Sequence, residues 1–321
     1  MPAILTHDFF GKGVLDDVSH LLGFRSPDEK DAFLLGNQGP DPLFYLTVDP
    51  LMRKWEHLGH IMHDVRPASL LLGMREAAER LEGRQRQIGK AYVAGFACHW
   101  QLDSAMHPFV YFWQNGLTSA GVEGLDEKAA SRVHAEIERD FDEMVLYALT
   151  GQTVERYRPH ERVLQASSAV LAAVNKLYFY VALWVYEHAI DPRTFSTAVH
   201  EFRLMQRLFD SPSGRKRTVL GTVERVAGKS QYSLLCSMSH RARAEETSDF
   251  DNREHKVWEN PFTHARSTTD FWDIYNTAQS KVLATEDELF SPGFDLAGAR
   301  ALTGDVNFEG AVSAPDDTFT W

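Results

Sequence analysis

Apolar residues recur at three- and four-residue intervals over residues 54–65, 69–81, 87–107, 127–149, 161–188, 194–209 and 267–284, while strictly alternating runs are scarce. That period belongs to helices with one buried face and not to strands, whose side chains alternate. The pattern predicts an all-α fold, a multi-helix bundle. A chain of 321 residues that is 44% hydrophobic can give such a bundle a sizeable core.

Breakers mark the joints. Gly36-Asn37-Gln38-Gly39-Pro40-Asp41-Pro42 reads as an irregular loop, and Ser211-Pro212-Ser213-Gly214 ends the helix before it, ahead of a basic Arg215-Lys216-Arg217 loop. Ser168–Tyr186 is apolar enough to raise the question of a membrane span. Asn175 and Lys176 near its middle favour a buried core helix, because charge at a bilayer centre is costly. From about residue 286 to Trp321 the composition shifts to Gly, Ala, Asp and Pro without periodicity. The expected organisation is a helical domain over 1–285 and a loosely structured acidic tail over 286–321.

The sharpest chemical feature is a row of His99, Asp103 and His107. Steps of four residues place all three on one face of an otherwise apolar helix. The same face continues through Gly95 and Ala91, whose small size is expected to leave room beside the helix for a metal. His99 and His107 stand about 12 Å apart along the axis, too far to share one ion, so the column would serve two centres. His134 and Glu138 repeat the four-residue spacing, and with His107 they would make a two-His, one-carboxylate site. Either pair taken alone is more often a surface ion pair. Further candidates are His7, Asp41, His60 and His63, for which capping or ordinary core and surface roles are the plain alternatives.

Charge and cysteine content narrow the partners. A formal charge of −12 argues against tracking nucleic acid or anionic membranes by simple attraction, although bound divalent cations would reverse the sign locally. Two cysteines, Cys98 and Cys236, supply neither a disulfide framework nor a cysteine-rich zinc module, so the fourteen histidines are the main ligand resource. Cys98 points about 100° away from His99 and reads as a small buried side chain. The opening Met1–His7 lacks a basic segment followed by a long apolar one, so no signal peptide and a cytoplasmic location are expected.

Several stretches together resemble the bacterial zinc-dependent phospholipase C family. They are Thr6–Gly11, Phe33–Pro42, Leu58–His63, Ala91–Phe96 with His99 and Asp103, and the His134/Glu138 pair, in the family's order. Asn252–Pro261 and Phe271–Tyr275 look like members lacking a membrane-docking β-domain. The resemblance covers about residues 4 to 280. It implies two or three zinc ions: Asp41, His63, His99 and Asp103 on the first, His107, His134 and Glu138 on the second, and His7 with a bridging Asp103 on the third. His63 is preferred to His60 by its place in the motif.

Two departures stand out. The chain begins Met1-Pro2, where secreted members offer the amino group of an N-terminal Trp, and His107 follows Asp103 by a slightly shorter gap than usual. The implied activity is phosphodiester hydrolysis by a zinc-activated water, with Asp41 as the catalytic carboxylate. A phospholipase C acting on glycerophospholipid at a transiently contacted membrane surface is the leading expectation. A zinc nuclease or other phosphodiesterase on the same scaffold, and a metal-binding protein without turnover, are the alternatives. No stable nucleic-acid partner is expected. The aromatic run Phe109–Trp113 either walls a lipid cleft or packs the core.

Overall fold

A computed structural model describes residues 4–209, 240–314 and 319. The Ser211–Gly214 breaker, the basic Arg215–Arg217 cluster and Cys236 lie outside the described residues. The architecture is mainly helical: α1 (Ile4–Leu22), α2 (Pro27–Gly36), α3 (His57–Asp64), α4 (Pro67–Glu79), α5 (Gly83–Thr118), α6 (Ala130–Thr150), the short α7 (Val154–Tyr157) and α8 (Pro159–Arg162), α9 (Ser168–Trp184) and α10 (Thr194–Phe209). Beyond residue 240 come a two-stranded antiparallel ribbon, β1 (Trp258–Glu259) and β2 (Arg266–Ser267), then α11 (Phe271–Leu289) and α12 (Leu296–Thr303). No helix among the described residues is long and apolar enough to cross a membrane.

Helix α5 is the spine, packing against α1, α2, α4, α6, α9 and α11. Pro108 lies within it without ending it, so the helix runs eleven residues past the periodic pattern at 87–107. Predicted helix 161–188 breaks instead, at residues 163–167, before Ser167 caps α9 by accepting from Val170 N. Helices α1 and α2 escaped the periodicity. In α1 the buried face carries Thr6, His7, Asp8 and Gly11 beside Ile4, Leu5 and Phe10, so polar groups interrupt the apolar stripe. Helix α2 announces itself by its cap: Ser26 Oγ accepts from Glu29 N, Pro27 opens the helix, and Glu29 Oε2 accepts from Arg25 N.

Two expectations are overturned. Residues 286–314 are not a loose tail. Helix α11 runs through residue 285, α12 packs against α4 and α11, and residues 304–313 lie against the histidine cluster described below. Nor does Gly95, one of the two small residues beside the column, make room for an ion. A Cβ on Gly95 would stand 2.0 Å from Phe33 O, and one on Gly36 would stand 2.2 Å from Tyr92 O. The backbones of α2 and α5 touch there, filling the space. We expect Gly95→Ala to lower the urea unfolding free energy by about 1–3 kcal/mol, as overpacking does when the obstacle is backbone. An unchanged unfolding midpoint would contradict this close crossing.

Candidate metal centre

The α2–α5 crossing delivers the loop after α2 onto His99. Asn37 O lies 3.0 Å from His99 Nδ1, and Gly39 turns with φ +50, its backbone so close to the His99 ring that a Cβ would meet Cδ2 at 2.1 Å. Only glycine fits there. Tyr92 and Tyr178 both donate to Gly39 O, at 3.2 and 2.9 Å, and hold the loop in place. Two residues further on, Asp41 opens a 3-10 turn (Asp41–Tyr45) and faces His63 from α3.

All eight sequence-predicted residues come together, from α1, the Asp41 turn, α3, α5 and α6. His7 Nε2 lies 3.0 Å from Asp103 Oδ1, His63 Nε2 3.1 Å from Asp41 Oδ1, and His99 Nε2 3.1 Å from Asp103 Oδ2. At the far end, His107 Nε2 and His134 Nε2 each lie 3.4 Å from Glu138 Oε1. Among the described residues, three groups in this cluster could hold a metal ion: His7, Asp41 and His99; His63, His99 and Asp103; and His107, His134 and Glu138. A fourth, His255 with Asp270 and Asp273, lies at the surface, where the two carboxylates already form the capping box of α11. His60 is outside the cluster, half-exposed beside Glu56.

The outer nitrogens carry the more telling pattern. His63 Nδ1 meets Gly59 O at 2.7 Å, His99 Nδ1 meets Asn37 O, His107 Nδ1 meets Phe308 O at 2.6 Å, and His134 Nδ1 meets Gln114 Oε1 at 2.9 Å. Each acceptor takes an N–H from Nδ1, so that in the neutral form of each ring Nε2 carries the lone pair and aims it inward. Metal-binding histidines are oriented in this way, by an acceptor on the nitrogen that does not ligate. Buried atoms that these close contacts leave without a well-directed hydrogen bond also gather at the centre: His99 Nε2, Asp41 Oδ1 and His7 Nδ1. Unsatisfied buried polar groups are costly, and a cation among them would satisfy the first two.

Electrostatics fit the same picture. Burial raises the cost of ionising Asp103, yet His99, His107 and His7 hold its carboxyl well below the usual range. Asp41 is likewise lowered against its burial, by His99 and His63. Burial lowers His7, assisted by His99, while the same burial at His107 is outweighed by Asp103 and Glu138, which raise its pKa to about 9.

An open pocket of about 260 Å³ reaches the cluster beside Phe44, His63, His107, Tyr111, His134 and Glu309. Of the aromatic run after His107, Phe109 and Val110 are core, whereas Tyr111 faces this pocket. His255 and Trp258 stand apart from the cluster: Trp258 packs on Phe109 and Phe112, and His255 Nδ1 bonds Thr268 O. Cys98 is buried, its thiol against Glu286. Sequence reasoning missed Asn37, Gly59, Gln114 and Phe308. Three of these act through a backbone carbonyl, which every residue possesses, so no side-chain signal could have marked them.

Fold and site together define a mainly helical protein with a buried histidine–carboxylate cluster able to hold metal ions. Comparison with family models, curated proteins and solved structures finds no match for the chain.

Proposed function

We propose that this chain is a multi-zinc phosphodiester hydrolase of the zinc-dependent phospholipase C type. The observation that carries the reading is the set of four imidazoles whose Nδ1 atoms are committed to outer acceptors while their Nε2 atoms converge on Asp41, Asp103 and Glu138. Imidazole and carboxylate ligands without thiolate suit zinc among the borderline divalent metals. His63, His99, Asp41 and Asp103 would hold one ion, His107, His134 and Glu138 a second, and His7 with Asp103 a third. Bound there, such cations lower the pKa of a coordinated water and neutralise charge on a phosphoryl group.

The chain's own residues supply orientation and exclusion of bulk water. Asp41 is buried and its carboxyl sits below the ordinary range, so it stays ionised and suits orienting an attacking water better than removing its proton. Phe44 and Tyr111 line the pocket with aromatic rings, and Glu309 adds a carboxylate to its lining. A carboxylate in the lining, together with the net charge of −12, weighs against a polyanionic strand, while the aromatic rings suit a substrate with an apolar part.

Two measurements test this. Purified protein should carry two or three zinc per chain by elemental analysis, and should cleave phosphatidylcholine in preference to single-stranded DNA. Cleavage of DNA alone would point to the nuclease alternative, and metal without turnover to a binding protein. Because the His107 proton is held to about pH 9, metal uptake must displace it. Apparent affinity should therefore climb by up to about tenfold per pH unit between pH 7 and 9 and then level off. A flat affinity profile over that interval, followed by competition with a chelator, would contradict the assignment of His107.

A further inference from the structure

Residues 304–313 form a tight loop whose centre is Phe308. Asn307 accepts through Oδ1 from Glu309 N and Ala311 N, Gly310 N donates to Asn307 O, and Gly310 turns with φ +82. The loop is fastened to the bundle at several points. Asn307 Nδ2 donates to Asp64 O at 3.0 Å, Trp100 Nε1 donates to Val306 O at 2.8 Å, and Tyr111 Oη donates to Glu309. Gly310 seats directly on Pro108, where a Cβ would meet Cγ at 2.4 Å.

Phe308 itself touches both halves of the cluster. Its N–H donates to His63 O at 3.2 Å, its carbonyl takes the His107 Nδ1 proton, and its fully buried ring lies against His63, His99 and Phe96. A loop fastened by side chains from α5 and by the end of α3 thus places one carbonyl behind one imidazole.

We infer that this loop is a positioning element of the metal centre, with Phe308 O setting the ring of His107 and thereby the site formed with His134 and Glu138. The inference rests on the metal reading of the cluster. Its physical content is that, among the described residues, Phe308 O is the one acceptor within hydrogen-bond distance of His107 Nδ1, the Asp103 carboxylate standing off at 3.9 Å. The His63 and His99 rings keep their own acceptors, Gly59 O and Asn37 O, whether or not the loop is docked. Undocking the loop should therefore weaken one site selectively, by about 10–100-fold, the usual cost of losing an outer partner of a metal-binding histidine.

Two full-length variants undock the loop by different means. Gly310→Ala forces it off Pro108, and Asn307→Ala removes the fastening to Asp64 and the turn's internal acceptor. Each is titrated with cobalt(II), whose visible spectrum reports coordination site by site, and the unfolding of the metal-free protein is measured alongside. Support would be one cobalt equivalent weakened at least about tenfold in both variants, with a changed spectrum for that equivalent alone and the remaining equivalents bound as in the wild type, whatever the accompanying fall in the metal-free midpoint. Uniform weakening of every equivalent would make the loop a general brace and overturn the inference. Unaltered binding in both variants would overturn it as well. A wild-type chain that takes up no cobalt would sink the metal reading itself and the inference with it.

Discussion

Replacing Asp103 with asparagine is expected to strip the protein of at least one metal equivalent and to reduce phosphodiesterase turnover by about a thousandfold or more, several kcal/mol of lost stabilisation at about 1.4 kcal/mol per decade. The reason is the number of partners on this one carboxylate. Oδ1 faces His7, while Oδ2 faces His99 at 3.1 Å and both His63 and His107 at 3.9 Å. Asparagine keeps the shape and removes the charge, so the change tests electrostatics and ligation with little effect on packing. The metal-free variant should show a second effect. Without the Asp103 carboxylate, the His107 pKa should fall from about 9, because that charge is the leading influence raising it against burial. Elemental analysis and an NMR titration of the imidazoles read the two effects separately. Full metal content and an unmoved His107 titration in the variant would contradict the central place given to Asp103.

The second large effect concerns how His7 is delivered. Asp142, fully shielded on α6, accepts from Leu5 N at 3.1 Å, Thr6 N at 2.8 Å and Thr6 Oγ1 at 2.7 Å, and its Oδ2 also meets His240 Nε2 at 3.0 Å. One carboxylate from a distant helix therefore caps the first turn of α1, whose N–H groups have no partner within the helix. Asp142→Ala leaves those donors buried and unmatched, and a loss of about 3–5 kcal/mol in urea unfolding is expected. His7 follows Thr6 directly, so metal held by His7, Asp41 and His99 should weaken more than metal held by His107, His134 and Glu138. A stability change below about 0.5 kcal/mol, the range of an ordinary surface substitution, would show that Asp142 does not carry this cap.

Legibility divided along the same physical line in fold and site. His99, Asp103 and His107 could be grouped because helical geometry turns four-residue spacing into a shared face, and His134 with Glu138 likewise. His7, Asp41 and His63 had no local rule to join them. They reach the cluster because α1 is capped by Asp142, because α2 crosses α5 at Gly36 and Gly95, and because the 37–41 loop is held by Tyr92 and Tyr178. The crossing also explains why the small residues of α5 misled: absence of a side chain signals close approach of something, and here it was backbone. Residues 286–314 misled in the opposite way, since short capped elements fastened by backbone hydrogen bonds show no periodicity.

By itself, then, the order of residues determined that the chain would be helical and that His99, Asp103, His107, His134 and Glu138 would present ligand-type groups in two sets, because both follow from periodicity within single helices. Tertiary structure alone decided that the two sets join His7, Asp41 and His63 in one cluster of adjoining groups, and which way each imidazole faces. Those choices depend on carbonyl groups at Asn37, Gly59 and Phe308, and a carbonyl becomes distinctive only through the position the folded chain gives it.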